Sequence, residues 1–171
     1  MVDVVARAVA DRQKVPPRAQ WLTVDGHRVK LSRSLVRRAR ERARATGKPH
    51  NQARETFVKV VIKELAQKLG DELNEKAGST MDRSYLKEDL RQSREVRIAL
   101  NLLWLPLTPQ QLVGQLFSKE HYLRSAAPEL SDAELARLLR PADAPLTVAD
   151  VALLDEAAEL FEHHGVAIRS E

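Results

Sequence analysis

The sequence predicts a mainly α protein, an irregular helical bundle with one small N-terminal β-hairpin, on three observations. Its 171 residues contain only 6 glycines among abundant Ala, Leu, Arg and Glu, residue types that lose little on entering a helix. Apolar residues recur at three- and four-residue spacings along most of the chain, the period of a helical face. Trp21–Leu31 differs: two short β-prone runs flank Asp25-Gly26, the pair best able to take the positive φ angles of a tight hairpin turn. The length suffices for one domain with a real core, or for one domain plus an extended arm.

The elements follow in order. Val2 to Arg12 places Val2, Val5, Ala6 and Val9 on one face, and Pro16-Pro17 must end that helix. The hairpin comes next; two strands alone are marginal in water, so it must lie against helices or against another part of a parent protein. Ser32 or Ser34 can cap a basic helix that runs to about Thr46 and stops at Gly47-Lys48-Pro49. The longest helix is expected over Asn51–Ala77, where Phe57, Val58, Val61, Ile62, Leu65, Leu69 and Leu73 form a broad apolar stripe, the first choice for the core. Gly78-Ser79-Thr80 breaks it, and Asp82 or Ser84 restarts a helix through Leu90. Ser93 caps a further helix through Trp104 that buries Val96, Leu100, Leu103 and Trp104. Short connections favour antiparallel packing of these helices.

Past Pro106 the elements shorten. Thr108-Pro109-Gln110-Gln111 supplies an N-cap, a proline at the first helical position and a glutamine at the third, starting a helix through Phe117. A turn or short helix carries His121 and Tyr122, and Ser131-Asp132-Ala133-Glu134 is a capping box for a helix to Leu139. Pro141 and Pro145 frame a loop. Thr147-Val148-Ala149-Asp150 opens a last helix with its apolar face at Val151, Leu154, Ala158 and Phe161, and Gly165 terminates it.

Composition narrows the function. With no cysteine, disulfides and thiolate zinc sites are excluded. No run approaches the roughly 18 apolar residues of a membrane span, and Asp3 and Asp11 stand where a signal peptide would be basic and then apolar, so a cytoplasmic location without membrane contact is expected. The net charge of +4 hides an asymmetry: residues 1–60 carry 15 Lys/Arg against 5 Asp/Glu, residues 61–119 carry 9 against 8, and residues 120–171 carry 4 against 11. A basic front favours polyanions or acidic protein surfaces, whereas an acidic tail repels nucleic acid.

The chain holds no Gly-x-x-x-x-Gly-Lys-Ser/Thr loop, no Gly-x-Gly-x-x-Gly turn, no Gly-x-Ser-x-Gly elbow and no His-Glu-x-x-His pair. No catalytic, cofactor-binding or metal-ligating residue is therefore assigned. His163 and His164 point about 100° apart on a helix and do not readily share an ion; they read as solvated residues near a helix end. Two features stand out. Arg33, Arg37, Arg40 and Arg44 recur at i, i+4, i+7 and i+11 as a one-sided stripe with Arg38 and Arg42 beside it, a pattern able to grip phosphates or an acidic groove. It is equally what a solvated helix rich in a good helix former looks like, and no aromatic interleaves it for base stacking. The second is Leu153-Leu154-Asp155-Glu156-Ala157, which looks like the acidic pair that positions magnesium and water in helicase-type ATPases. That pair belongs at the end of a buried strand, whereas these residues follow a helix start with helical spacing, so a structural helix is expected.

Five strings in fixed order carry a resemblance. They are Arg7–Gln13 with the following prolines, Val24-Asp25-Gly26, His50–Arg54, Leu107–Leu112, and the long Leu146-Thr147-Val148-Ala149-Asp150-Val151-Ala152-Leu153-Leu154-Asp155-Glu156-Ala157-Ala158-Glu159-Leu160. Over nearly its whole length the chain resembles the helicase-like RNA-polymerase-recycling ATPases called HelD or HelR, of the UvrD-like superfamily 1. The resemblance implies a family-specific insertion within the first motor domain, after the phosphate-binding loop and before the strand-borne acidic pair. Residues 1–31 would then flank the parent motor domain, 32–140 would be a helical clamp-opening-type insertion, and 141–171 a linker and helix returning to the motor. It further implies core RNA polymerase and the parent motor as partners, with ATP and magnesium bound by the parent and no cofactor or ATP turnover in this chain alone. The alternative is a nucleic-acid-binding helical module that grips DNA through the arginine-rich helix.

Overall fold

Side-chain oxygens start the helices at positions the sequence marks. Ser32, Ser93, Thr108 and Ser131 each take extended backbone and accept from the N–H three residues on: Leu35 at 3.2 Å, Val96 at 3.4 Å, Gln111 at 3.2 Å and Glu134 at 3.3 Å. Gln111 and Glu134 reach back to the backbone N–H of Thr108 and Ser131 at 3.0 and 2.8 Å, so both capping boxes close.

The computed structural model describes residues 1–77 and 83–162. Among them are α1 (Val2–Ala10), β1 (Gln20–Val24), β2 (His27–Leu31), α2 (Arg33–Ala45), α3 (His50–Ala77), α4 (Arg83–Gln92), α5 (Arg94–Leu103), α6 (Pro109–Ser118), α7 (Glu120–Ala126), α8 (Asp132–Leu138), a 3-10 turn at Val148–Asp150 and α9 (Val151–Glu162). The fold is mainly α with one antiparallel hairpin, as composition and periodicity predict. The expected break at Gly78-Ser79-Thr80, the Asp82 restart, His163, His164 and the Gly165 stop lie outside the described residues. None of the described helices is long and apolar enough to cross a membrane.

The hairpin pairs Val24 with His27, Leu22 with Val29 and Gln20 with Leu31, and its turn holds Asp25 at φ 48° and Gly26 at φ 78°. Positive φ at both turn residues matches the right-handed twist of the strands, which is why Asp-Gly is found there. Alternation buries Leu22, Val24, Val29 and Leu31 and leaves Trp21, Thr23, Arg28 and Lys30 outside.

The chain gathers into two compact units, each with its own core. The first comprises residues 1–13, 48–52 and 106 onward, the second 14–47 and 53–105. In the second unit, Phe57, Val61, Ile62, Leu65 and Leu69 of α3 pack with Leu35, Val36, Ala39 and Ala43 of α2, the inner hairpin face, Leu86 and Leu90 of α4, and Val96, Leu100, Leu103 and Trp104 around α5. The Phe57 and Trp104 rings lie 5.2 Å apart. Val58 and Leu73, the remaining members of the expected stripe, are partly buried beside this cluster. The first unit is built from α1, α6, α7 and α9, with Val5, Ala8, Leu112, Leu116, Leu123, Ala157 and Phe161 at its centre.

The long stripe therefore organises one core rather than the whole protein. α1 falls in the first unit and the hairpin in the second. Two helical faces differ in part from the expected ones. α1 buries Val4, Val5, Ala8 and Val9 and leaves Val2 exposed, and it ends at Ala10, where Arg12 and Gln13 close tighter bonds to Val9 and Ala10. Two valine pairs fit the period equally, and Val2, at the helix tip, has nothing to cover it. On α9, Phe161 is fully buried and Leu154 partly buried as the spacing predicts, but Ala157 replaces Ala158 in the core and Val151, in the first turn at the edge of that face, is exposed.

Candidate polyanion-contact surface on the basic helix

Ser32 caps α2, and Arg42 and Arg44 lie in its last turn, where cations suit the negative end of the helix dipole. Leu35, Val36, Ala39 and Ala43 are its buried stripe. At roughly 100° per residue, Arg33, Arg37, Arg40 and Arg44 then share an arc of roughly 60° on one flank of that stripe. Arg38 and Arg42 fall on the other flank, not beside the first four. There Arg38 pairs with Glu64 of α3, and Arg42 borders a cleft of about 330 Å³ with Lys63, Glu64, Gln67, Lys68 and Asp71. The six arginines thus form two surfaces.

Within the stripe the four differ. The Arg33 Nε donates to the Pro16 carbonyl at 3.0 Å, which spends part of its fork on the loop after α1. Arg40 is half-buried, and Arg44 is pushed below the usual arginine range by burial and then by the charge of Arg40. Arg37 is exposed, with no hydrogen bond or ion pair among the described residues. Crowded like charges with one uncommitted guanidinium make a surface that an anion would relieve. Charge also sorts by unit: the second unit carries 20 Lys/Arg against 11 Asp/Glu, the first 8 against 13.

Asp155 and Glu156 lie on α9, on a helix rather than at a strand end, and about 100° apart. Among the described residues no group of three or more His, Asp or Glu is arranged to hold a metal ion.

Sequence reasoning missed the polar centre of the first unit. Asp150, 5 % exposed, accepts from Arg140 Nη1 at 3.0 Å, Arg140 Nη2 at 2.9 Å, Thr147 N at 2.7 Å and Thr147 Oγ1 at 3.0 Å. The Arg140 hydrogen bonds, aided by those of Thr147, hold its carboxyl below the usual aspartate range. Thr147 with Asp150 three residues on was legible as a cap, but nothing local points to Arg140. Beside this pair lies a cleft of about 510 Å³ with Phe117, Leu139 and Leu153 in its walls. Arg12 is also buried, its guanidinium 3.6 Å above the Tyr122 ring, and burial pushes its pKa down.

Four of the five strings that carry the resemblance meet in the first unit, His50–Arg54 through its first three residues. Gln13 Nε2 lies 3.2 Å from His50 Nδ1, the Asn51 amide brackets the Leu107 backbone at 3.2 and 3.4 Å, and His50 stands edge-on to Phe161 at 5.1 Å. The hairpin turn is the fifth and belongs to the second unit. No family model matches the chain, and no curated protein matches it.

Proposed function

We propose that this chain is a non-catalytic accessory segment of an ATP-dependent helicase-like protein of the HelD or HelR kind, one that contacts RNA polymerase and helps open its clamp so that the enzyme is released and recycled. ATP and magnesium belong to the parent motor. One observation carries the reading: strings far apart in sequence, at residues 7–13, 50–52, 107–112 and 146–160, touch one another around a single core. Four of the segments that carry the resemblance are thus parts of one structural unit rather than scattered matches. The work is mechanical on this reading. The acidic first unit competes for a channel shaped to hold nucleic acid, and no bond is made or broken.

The test is retention on immobilised core RNA polymerase. The purified chain should be held at micromolar concentration, and a parent lacking these residues should lose polymerase release. Absence of retention, or release unchanged by the deletion, overturns the proposal.

The exposed Arg37 and the crowded Arg40–Arg44 pair favour a second reading, a DNA-binding module acting through α2. It requires binding that weakens steeply with salt and is lost in the double variant Arg37→Glu, Arg40→Glu. Binding indifferent to both excludes it.

A further inference from the structure

The outer face of the hairpin carries one large aromatic among cations. Trp21 is 54 % exposed, with the Arg28 guanidinium 5.0 Å and the Lys30 ammonium 5.9 Å from its ring centroid. Lys30 is its cross-strand partner and Arg28 lies on the diagonal, so both are placed by the register of the ladder. Beside β1, α5 turns its buried side inward and leaves Ile98 and Leu102 outside, 49 % and 65 % exposed. These two are one helical turn apart and form a ridge. Trp21, Ala99 and the ridge border an open groove of about 460 Å³ within the second unit. Glu95 stands in its wall with its carboxylate accepting the Thr23 N–H at 2.6 Å. That bond pins β1 to α5, and it occupies a strand-edge donor that an added strand would need.

Three large apolar side chains side by side at the surface offer a contiguous apolar face to a partner. We infer that this groove docks an amphipathic, acidic helix of a partner protein. Side chains at i and i+4 of that helix straddle the Ile98–Leu102 ridge, Trp21 is the anchor, and carboxylates on its flank meet Arg28 and Lys30. The charge of the second unit, 20 Lys/Arg against 11 Asp/Glu, favours an acidic partner as a whole. A nucleic acid would satisfy the cations and stack on Trp21, but it would set phosphates against an aliphatic ridge that offers them no donor. The inference does not rest on the polymerase reading: a chain that ignores polymerase can still dock such a helix, and one that binds polymerase through another face need not.

The experiment is selection from a displayed library of helical peptides on the immobilised full chain, followed by binding of one synthetic winner. Trp104 is fully buried, so acrylamide quenching of fluorescence reads Trp21. Winners should be apolar at i, i+4 and i+7 with flanking Asp or Glu, and should shield Trp21. Leu102→Asp should weaken binding at least about tenfold while leaving the helical circular dichroism unchanged, since the position is exposed. Arg28→Glu with Lys30→Glu should shift selection to basic flanks. The inference is overturned by winners without acidic flanks, by binding indifferent to Leu102→Asp, by an oligothymidylate that shields Trp21 better than the peptide, or by concentration-dependent shielding of Trp21 in the chain alone.

Discussion

Asp150→Asn is the sharpest probe of the first unit. The substitution preserves shape but removes the charge and turns one acceptor oxygen into an NH2 group facing donors. Four hydrogen bonds converge on the carboxylate, two from Arg140 at 3.0 and 2.9 Å and two from Thr147 at 2.7 and 3.0 Å. Breaking one side of a buried pair costs about 3–5 kcal/mol. The Arg140 side chain is 24 % exposed and recovers part of its solvation, so an expected loss of about 2–4 kcal/mol remains. At a urea slope of about 2 kcal/mol/M the midpoint should fall by roughly 1–2 M, read by far-ultraviolet circular dichroism.

Acid supplies a second arm of the same test. Because the folded-state pKa of Asp150 lies below 3.8, its stabilisation is complete above that value and is lost as pH falls from there toward the folded value. The gap between parent and variant should therefore close in strong acid. A midpoint shift under about 0.3 M at neutral pH, or a gap that persists undiminished in acid, would refute the reasoning.

Three further outcomes are expected. Phe57→Ala removes a fully buried ring 5.2 Å from Trp104 and should cost about 3–5 kcal/mol, with Trp104 fluorescence following the earlier transition; a cost below about 1 kcal/mol would mean that α3 does not centre the second core. Gly26→Ala meets no atom within 4 Å, so its penalty is conformational, about 1–2 kcal/mol from φ +78°, and D-alanine introduced at the same position should remove most of it. Asp89 is raised above 3.8 by desolvation and by the charge and hydrogen bond of Asp25, so its contribution is favourable below 3.8 and lost as pH rises through its folded value. Asp89→Asn should therefore raise Tm at neutral pH and lose that gain in acid; a gain independent of pH would mean that the Asp25 contact is not its source.

Local chemistry made much of the fold legible. The capping boxes of Thr108 and Ser131 close within three residues, and the Asp25-Gly26 turn is settled by the φ angles those residues tolerate, so neither waits for the rest of the chain. The Phe57–Leu69 stripe likewise announces a buried helix, because its period is a property of the helix itself.

Tertiary structure decided what those elements meet. Periodicity names an apolar face but not its neighbour, so it could not show that α3 serves one core while α1, α6, α7 and α9 build another, or which valines of α1 turn inward. Ion pairs and exposed grooves depend on residues distant in sequence. Arg38 leaves its neighbours for Glu64, Arg140 finds Asp150, and Trp21 stands beside Ile98 and Leu102 only after the strand and α5 have packed. Residue type and spacing determine secondary structure over a few residues, whereas a contact surface is set by how separate segments dock, which no local spacing encodes.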